Sequence, residues 1–344
     1  MIWKNIEIHN VAELINNDDG SVSWRRVPYE VYSQMESGMA EFVAHCSTGV
    51  ELRFVIKGEA ATVRMSTLKN DPESFSTFHV YRGGIQGGWE DHEVHRHVTG
   101  EVQDFVIKRS SNMQRLKEMS KKIGHDWDCE VVRIVFDRGS YKIHDVIGDV
   151  APPSCEQCPK KTLLAYGSSI THGSNSIDAS HSWVSVVAHN LNIDARNLGM
   201  AGSCALEPAM AEYIASEGEA GKWDIATLEL GINVLNWDDE KIVSRVENML
   251  RQVAGRNKEK PVFVISPFYH CGDDFSPTKQ ADNWRRHIEA IVKKLNYENL
   301  TYINGLDVIG DMSYMSADEV HPNIYGVQRI ADVLTSKIRE APFY

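Results

Sequence analysis

The chain has 344 residues, 42% of them apolar and 24% charged, which is enough apolar material for two cores and an ordinary charge content that excludes wholesale disorder. Its formal net charge of −12 repels phosphate backbones and anionic lipid, so nucleic-acid and membrane partners are not expected. The opening MIWKNIEIHNVAELI lacks the basic start and apolar run of a secretory signal, and no apolar run reaches the ~18 residues of a membrane span, so a soluble, cytoplasmic protein is expected.

Up to about residue 150, short runs alternate apolar and polar residues: 49–58 (GVELRFVIKG), 61–67 (ATVRMST), 75–83 (FSTFHVYRG) and 129–137 (CEVVRIVFD). Val50, Leu52, Phe54 and Ile56 fall on one side of the first run. Period-two alternation broken by Gly and Asn-Asp signals predicts half-buried antiparallel strands, and several at short spacing suggest a sandwich or jelly roll. One helix is expected around Met113 to Ile123, and the proline-rich 151–161 reads as a linker. The expected domains are therefore a β-sandwich at 1–153 and a second domain at 154–344.

Beyond the linker, apolar strands alternate with amphipathic helices. The strands are 162–167, 194–199, 224–231, 261–267 and 300–304; the helices are 180–192, 207–216, 238–253, 278–296 and 323–340. Uniformly apolar strands separated by helices predict a parallel sheet covered on both faces. Five in this order suit an α/β, flavodoxin-like doubly wound fold.

Cys46, Cys129, Cys155, Cys158, Cys204 and Cys271 are scattered as reduced thiols would be, and the Cys155-Cys158 pair has no second CxxC to complete a zinc site. His92, His95 and His97 lie close together near a Gly-rich turn and leave a metal open as an alternative to solvated hairpin histidines. Trp89 and Tyr81 sit near the same turn, where edge or core packing is favoured over contact with a sugar.

In open α/β sheets ligands bind beyond the carboxyl ends of the strands. After the first strand comes Gly167-Ser168-Ser169-Ile170-Thr171-His172-Gly173, and after the second Gly199-Met200-Ala201-Gly202-Ser203. Gly231-Ile232-Asn233 follows the third, and Asp318-Glu319-Val320-His321-Pro322-Asn323 lies beyond the last. A hydroxyl, a glycine turn, a side-chain amide and an acid–imidazole pair thus meet at one rim. Singly each has a bland reading: Ser169 in a loop, Asn233 or Asp318 as a helix cap, His321 on the surface.

Over residues 160–344 these four blocks resemble those of the SGNH, or GDSL-type, hydrolases. The resemblance implies Ser169 as nucleophile, Gly202 and Asn233 in the glycine and GxN blocks, and Asp318 with His321 as the closing DxxH pair. The first block departs from the commoner form, with Ser168 in place of an aspartate. Its GSSIT version is similar to a subgroup that carries a β-sandwich ahead of the hydrolase domain, as some carbohydrate esterases do, and 197–215 (NLGMAGSCALEPAMAEYIA) resembles that subgroup as well.

The roles follow from chemistry. A serine hydroxyl needs a base within hydrogen-bond reach, which His321 supplies, and Asp318 three residues earlier fixes the imidazole tautomer. The Ser169 and Gly202 amides and the Asn233 side chain would form the oxyanion hole. Ser168 is expected as a turn residue; His172 and Trp183 are expected to bind substrate by lining or supporting the pocket. No cofactor or metal is required. The expected function is an esterase removing acetyl groups from a sugar or glycoside, with an oligosaccharide or small-molecule ester as partner. A lipid-ester or thioester hydrolase, an acyltransferase with the same triad, and a non-catalytic carbohydrate-binding protein stay open, as does assembly into a homo-oligomer.

Overall fold

The computed structural model describes residues 1–68, 76–89, 93–94 and 96–343. His92 and His95 lie outside the described residues, while His97 is exposed on the two-residue strand Arg96–His97. The chain divides into two compact units. The first comprises Met1–Pro28, His45–Lys160 and Asn192–Asp194; the second comprises Tyr29–Ala44, Lys161–Leu191 and Ala195–Tyr344.

The first unit is built from antiparallel strands. In one sheet Ile2–Trp3, Ile6–His9, Glu51–Ile56, Val131–Phe136, Thr77–Arg82 and Ile85–Gln86 lie side by side, with Val150–Ala151 beside Glu51–Ile56 and Arg96–His97 beside Thr77–Arg82. The other runs Gln103–Lys108, Ala60–Thr67, Tyr141–Ile147, Val22–Arg25 and Glu13–Asn16. Alternation puts Leu52, Phe54, Ile134 and Phe136 of the first sheet and Val63, Met65, Phe105 and Ile107 of the second into a single core. Aromatic pairs join the two inner faces, Phe78 against Phe105 with ring centroids 5.0 Å apart and Phe136 against Tyr141 at 4.5 Å. Helix Met113–Ile123 stops at Gly124, whose φ of 69° suits a residue without a Cβ.

Glu51–Ile56 departs from the expected half-burial, since all six of its residues are buried. Leu52, Phe54 and Ile56 join the core, whereas Glu51 and Arg53 are sealed in by ion pairs. Arg53 donates to Glu51 at 2.7 Å and to both Asp194 oxygens at 2.7 and 2.6 Å, and Arg133 reaches Glu51 from the neighbouring strand. Bidentate pairing of this kind lets charged side chains occupy a dry environment that they would otherwise avoid.

Five parallel strands, in the second unit but for Asp194 at the start of the first named, stand in the order Asp194–Gly199, Thr162–Gly167, Ile225–Glu229, Val262–Ile265, Leu300–Ile303. By chain order this is 2-1-3-4-5, the flavodoxin-like arrangement. Helices Trp183–Leu191, Pro208–Glu219, Asp239–Arg256, Gln280–Leu295 and Ile324–Arg339 occupy the segments expected of them. Their starts are local: Asp238 accepts from Lys241 N–H, and Asn323 from the Tyr325 and Gly326 amides. Helix Tyr29–Tyr32 packs on Pro208–Glu219. Among the described residues no helix is long and apolar enough to cross a membrane.

Candidate active site

The first parallel strand ends at Gly167, and the chain turns at once into the short helix Ser169–His172. Ser168 caps that helix: its hydroxyl accepts from Ile170 N–H at 3.1 Å and donates to Glu229 Oε2 at 2.7 Å. Glu229, the last residue of the third strand, is fully buried. Its Oε2 also accepts from Ser168 N–H at 2.8 Å and Thr171 Oγ at 3.1 Å, while Oε1 is buried without a hydrogen-bond partner among the described residues. A carboxyl group from a neighbouring strand thus holds the turn at Ser168. Burial pushes the Glu229 carboxyl up to about 7, against the pull of the Ser168 and Thr171 hydrogen bonds.

That shift has a consequence for stability. An unfolded glutamate releases its proton near 4.5, whereas the folded chain holds this one until about 7, so stability falls as pH rises through that window. Glu229→Gln is neutral throughout and escapes the fall. Its stability relative to the unmodified chain is expected to rise by about 2 kcal/mol between about pH 5 and about pH 8. Calorimetric unfolding at the two pH values checks this, and a difference that does not change with pH would refute a protonated Glu229.

Asp318 and His321 lie in a tight loop. Glu319 adopts φ 64°, Ser316 N–H bonds His321 O at 2.8 Å, and Asn323 Nδ2 holds the Ser313 and Met315 carbonyls at 3.0 Å each. The loop turns Asp318 back onto its own successors, its Oδ1 accepting the Val320 and His321 amides at 3.1 and 2.9 Å. Its Oδ2 meets His321 Nδ1 at 2.9 Å, and His321 Nε2 lies 2.7 Å from Ser169 Oγ. Hydroxyl, imidazole and carboxylate therefore form one unbroken chain. Asn175 Nδ2 also donates to Asp318 Oδ2, at 2.6 Å. Burial works against ionisation of Asp318, but the hydrogen bonds from the His321 amide and ring and the Val320 amide outweigh it and hold the carboxyl at about 2.

Ser169 and His321 open onto a cavity of about 430 Å³, also lined by Met39, Ser174, Ala201, Gly202, Ile232, Asn233, Leu235, His270 and Val320. Asn233 Oδ1 accepts from Cys204 N–H at 3.2 Å, an orientation that leaves the amide NH₂ as its donor end. Gly202 holds φ 63°, where a side chain would be strained. His172 and Trp183 are buried and are not among the residues that line this cavity. The backbone at His172 passes close to the glycine turn, where a Cβ on Gly199 would come within 2.2 Å of the His172 backbone nitrogen.

Several of these residues escaped the sequence reading. Glu229, a charge inside an apolar strand run, was a legible signal, since an unpaired buried carboxylate is rare. His270 lies just beyond the fourth strand, so the strand-end rule applied there would have found it. Its Nδ1 faces Asp273 at 3.2 Å, and Arg285 braces Asp273 at 2.6 and 2.9 Å. Met39 carried no signal, being far from every block.

Among the described residues no group of three or more His, Cys, Asp or Glu side chains is arranged to hold a metal ion, and all six cysteines are free thiols.

Residues 160–339 match the GDSL-like Lipase/Acylhydrolase family. In fold the chain is similar to the salicylyl-acyltransferase SsfX3 from a tetracycline biosynthetic pathway, at 16% identity and a TM-score of 0.77, covering 99% of this chain and 97% of that one. It is also similar to a family two carbohydrate esterase from Cellvibrio japonicus, at 11% identity and a TM-score of 0.65, covering 98% and 95%. A stretch of 47 residues is 40% identical to oncosphere antigen B of Hydatigena taeniaeformis. That stretch is 14% of this chain and 44% of the antigen, so the match spans less than half of that curated relative. The family match covers more than half of the 344 residues, and the chain belongs to the GDSL-like lipase/acylhydrolase family.

Proposed function

We propose that the protein is a serine esterase that removes short acyl groups, acetyl foremost, from a carbohydrate or glycoside through an acyl-enzyme on Ser169. One observation carries this reading: the hydrogen-bonded chain from Ser169 Oγ through the His321 ring to Asp318, with links of 2.7 and 2.9 Å, borders a cavity that also holds Gly202 and Asn233.

As Ser169 Oγ bonds to the acyl carbon, His321 Nε2 takes its proton and Asp318 stabilises the resulting imidazolium. The carbonyl oxygen becomes an oxyanion, which the Ser169 and Gly202 amides and the Asn233 NH₂ group meet. Collapse breaks the bond to the alcohol, which leaves with the His321 proton. Water then loses a proton to His321 as it attacks the acyl carbon, and collapse breaks the bond from the acyl carbon to Ser169 Oγ, which takes the His321 proton as the acid leaves. Every step uses side chains and backbone amides, with no cofactor.

The shared core of the two antiparallel sheets supports a β-sandwich as an accessory domain in the N-terminal part of the chain, about residues 1–153. Carbohydrate esters are favoured by the likeness to a family two carbohydrate esterase. The direct test is acetate release from an acetylated oligosaccharide with its unacetylated form as control. Tight binding of the acetylated sugar without acetate release would overturn the reading. Asn233→Ala is expected to lower kcat by about 10²–10³-fold with little change in KM, as for other oxyanion donors; steady-state kinetics on p-nitrophenyl acetate decides, and a pure KM effect would move Asn233 out of the oxyanion hole.

A second reading, transfer of the acyl group to another alcohol, draws on the apolar side chains Met39, Ala201, Ile232, Leu235 and Val320 around the cavity and on the fold likeness to a salicylyl-acyltransferase. Partition of the acyl group between water and an added alcohol separates the two.

A further inference from the structure

Residues 36–39 lie more than a hundred positions before Ser169, in the part of the sequence otherwise given to antiparallel strands. They nevertheless belong to the same compact unit as the triad. Several bonds fix them there. Glu36 N–H donates to Glu207 at 3.2 Å, and the Glu36 carboxylate pairs with Lys241 at 2.9 Å and with Arg245. Ser37 Oγ donates to Gly202 O at 3.3 Å and accepts from Ser203 Oγ at 2.8 Å. The segment is thus tied to the turn that holds Gly202. From that anchor Met39 reaches the cavity, its Sδ lying 3.9 Å from where a Cβ on Gly202 would stand.

We propose that Met39 is a specificity-determining residue, forming the wall of the cavity that limits the length of the acyl group. The proposal rests on Ser169 being the nucleophile. Met39 stands with Ala201, Ile232, Leu235 and Val320, apolar side chains that suit an acyl chain, in a cavity whose polar lining includes Ser174, Asn233 and His270. Met39 is 52% exposed, so it stands at the rim of the cavity and its side chain can be shortened or enlarged without opening a hole in the core. Its unbranched thioether fits an adjustable wall.

The experiment compares wild type, Met39→Ala and Met39→Phe on p-nitrophenyl esters from acetate to octanoate, and on a second series in which acetate is held constant and the alcohol is varied. Met39→Ala is expected to raise kcat/KM for hexanoate relative to acetate by about fivefold or more, within the range for a few methylenes in an apolar pocket. Met39→Phe is expected to move the ratio the opposite way. An unchanged acyl-length profile in active variants would overturn the proposal while leaving the esterase reading intact. A change confined to the alcohol series would also overturn it. Wild type that cleaves none of these esters would refute the esterase reading itself, and the proposal with it.

Discussion

Ser169→Ala is expected to lower kcat for p-nitrophenyl acetate by about 10⁵–10⁶-fold, because the serine and the base act as one unit. The adjacent hydroxyl of Ser168 cannot take over. Ser168 is 1% exposed, its proton is given to Glu229 and its lone pair to Ile170 N–H. The oxyanion donors remain in the variant, so a residual rate above that in water is expected. Adding His321→Ala to Ser169→Ala is expected to cost almost nothing more, since a base without its nucleophile has no proton to move. Rates from matched preparations, with circular dichroism to verify folding, check both statements. A single variant that keeps a tenth of wild-type activity would remove Ser169 from the mechanism.

Asp318→Asn is expected to lower kcat by about 10³–10⁴-fold with little change in KM. The exchange is nearly isosteric, and the asparagine oxygen can still accept the Val320 and His321 amides as Oδ1 does at 3.1 and 2.9 Å. The new NH₂ group then faces His321 Nδ1 and Asn175 Nδ2, where Oδ2 had accepted from both at 2.9 and 2.6 Å. Donor would oppose donor unless the imidazole moves its proton to Nε2. In that tautomer Nε2 no longer accepts from Ser169 Oγ, and the base is lost with its position intact. The wild-type carboxyl, held at about 2, is ionised near neutral pH. Steady-state kinetics on p-nitrophenyl acetate is the check, and a kcat within tenfold of wild type would show that the tautomer is fixed by something else.

The match between sequence and structure varies from element to element, and the variation has physical causes. Most of the parallel strands are predominantly apolar and their helices amphipathic, so they announced themselves within a window of about a dozen residues, although Asp194–Gly199 carries Asp194, Arg196 and Asn197. Asp318 and His321 are three positions apart, and one loop suffices to pair them. Glu51 and Arg53 alternate with Leu52 and Phe54, and alternation alone reads as an exposed polar face. Their burial depends on Arg133 and Asp194, which are remote in sequence.

By itself the sequence determined the two structural periods and which chemical groups follow the first, second, third and last parallel strands. These rest on backbone geometry and on side chains a few positions apart, which act in any context. The tertiary structure alone decided that Ser169 and His321, 152 positions apart, meet at 2.7 Å, that Glu229 accepts from the Ser168 hydroxyl, and that Met39 stands beside Gly202. Such contacts are fixed by the packing of whole elements, and no local preference of the residues involved encodes them.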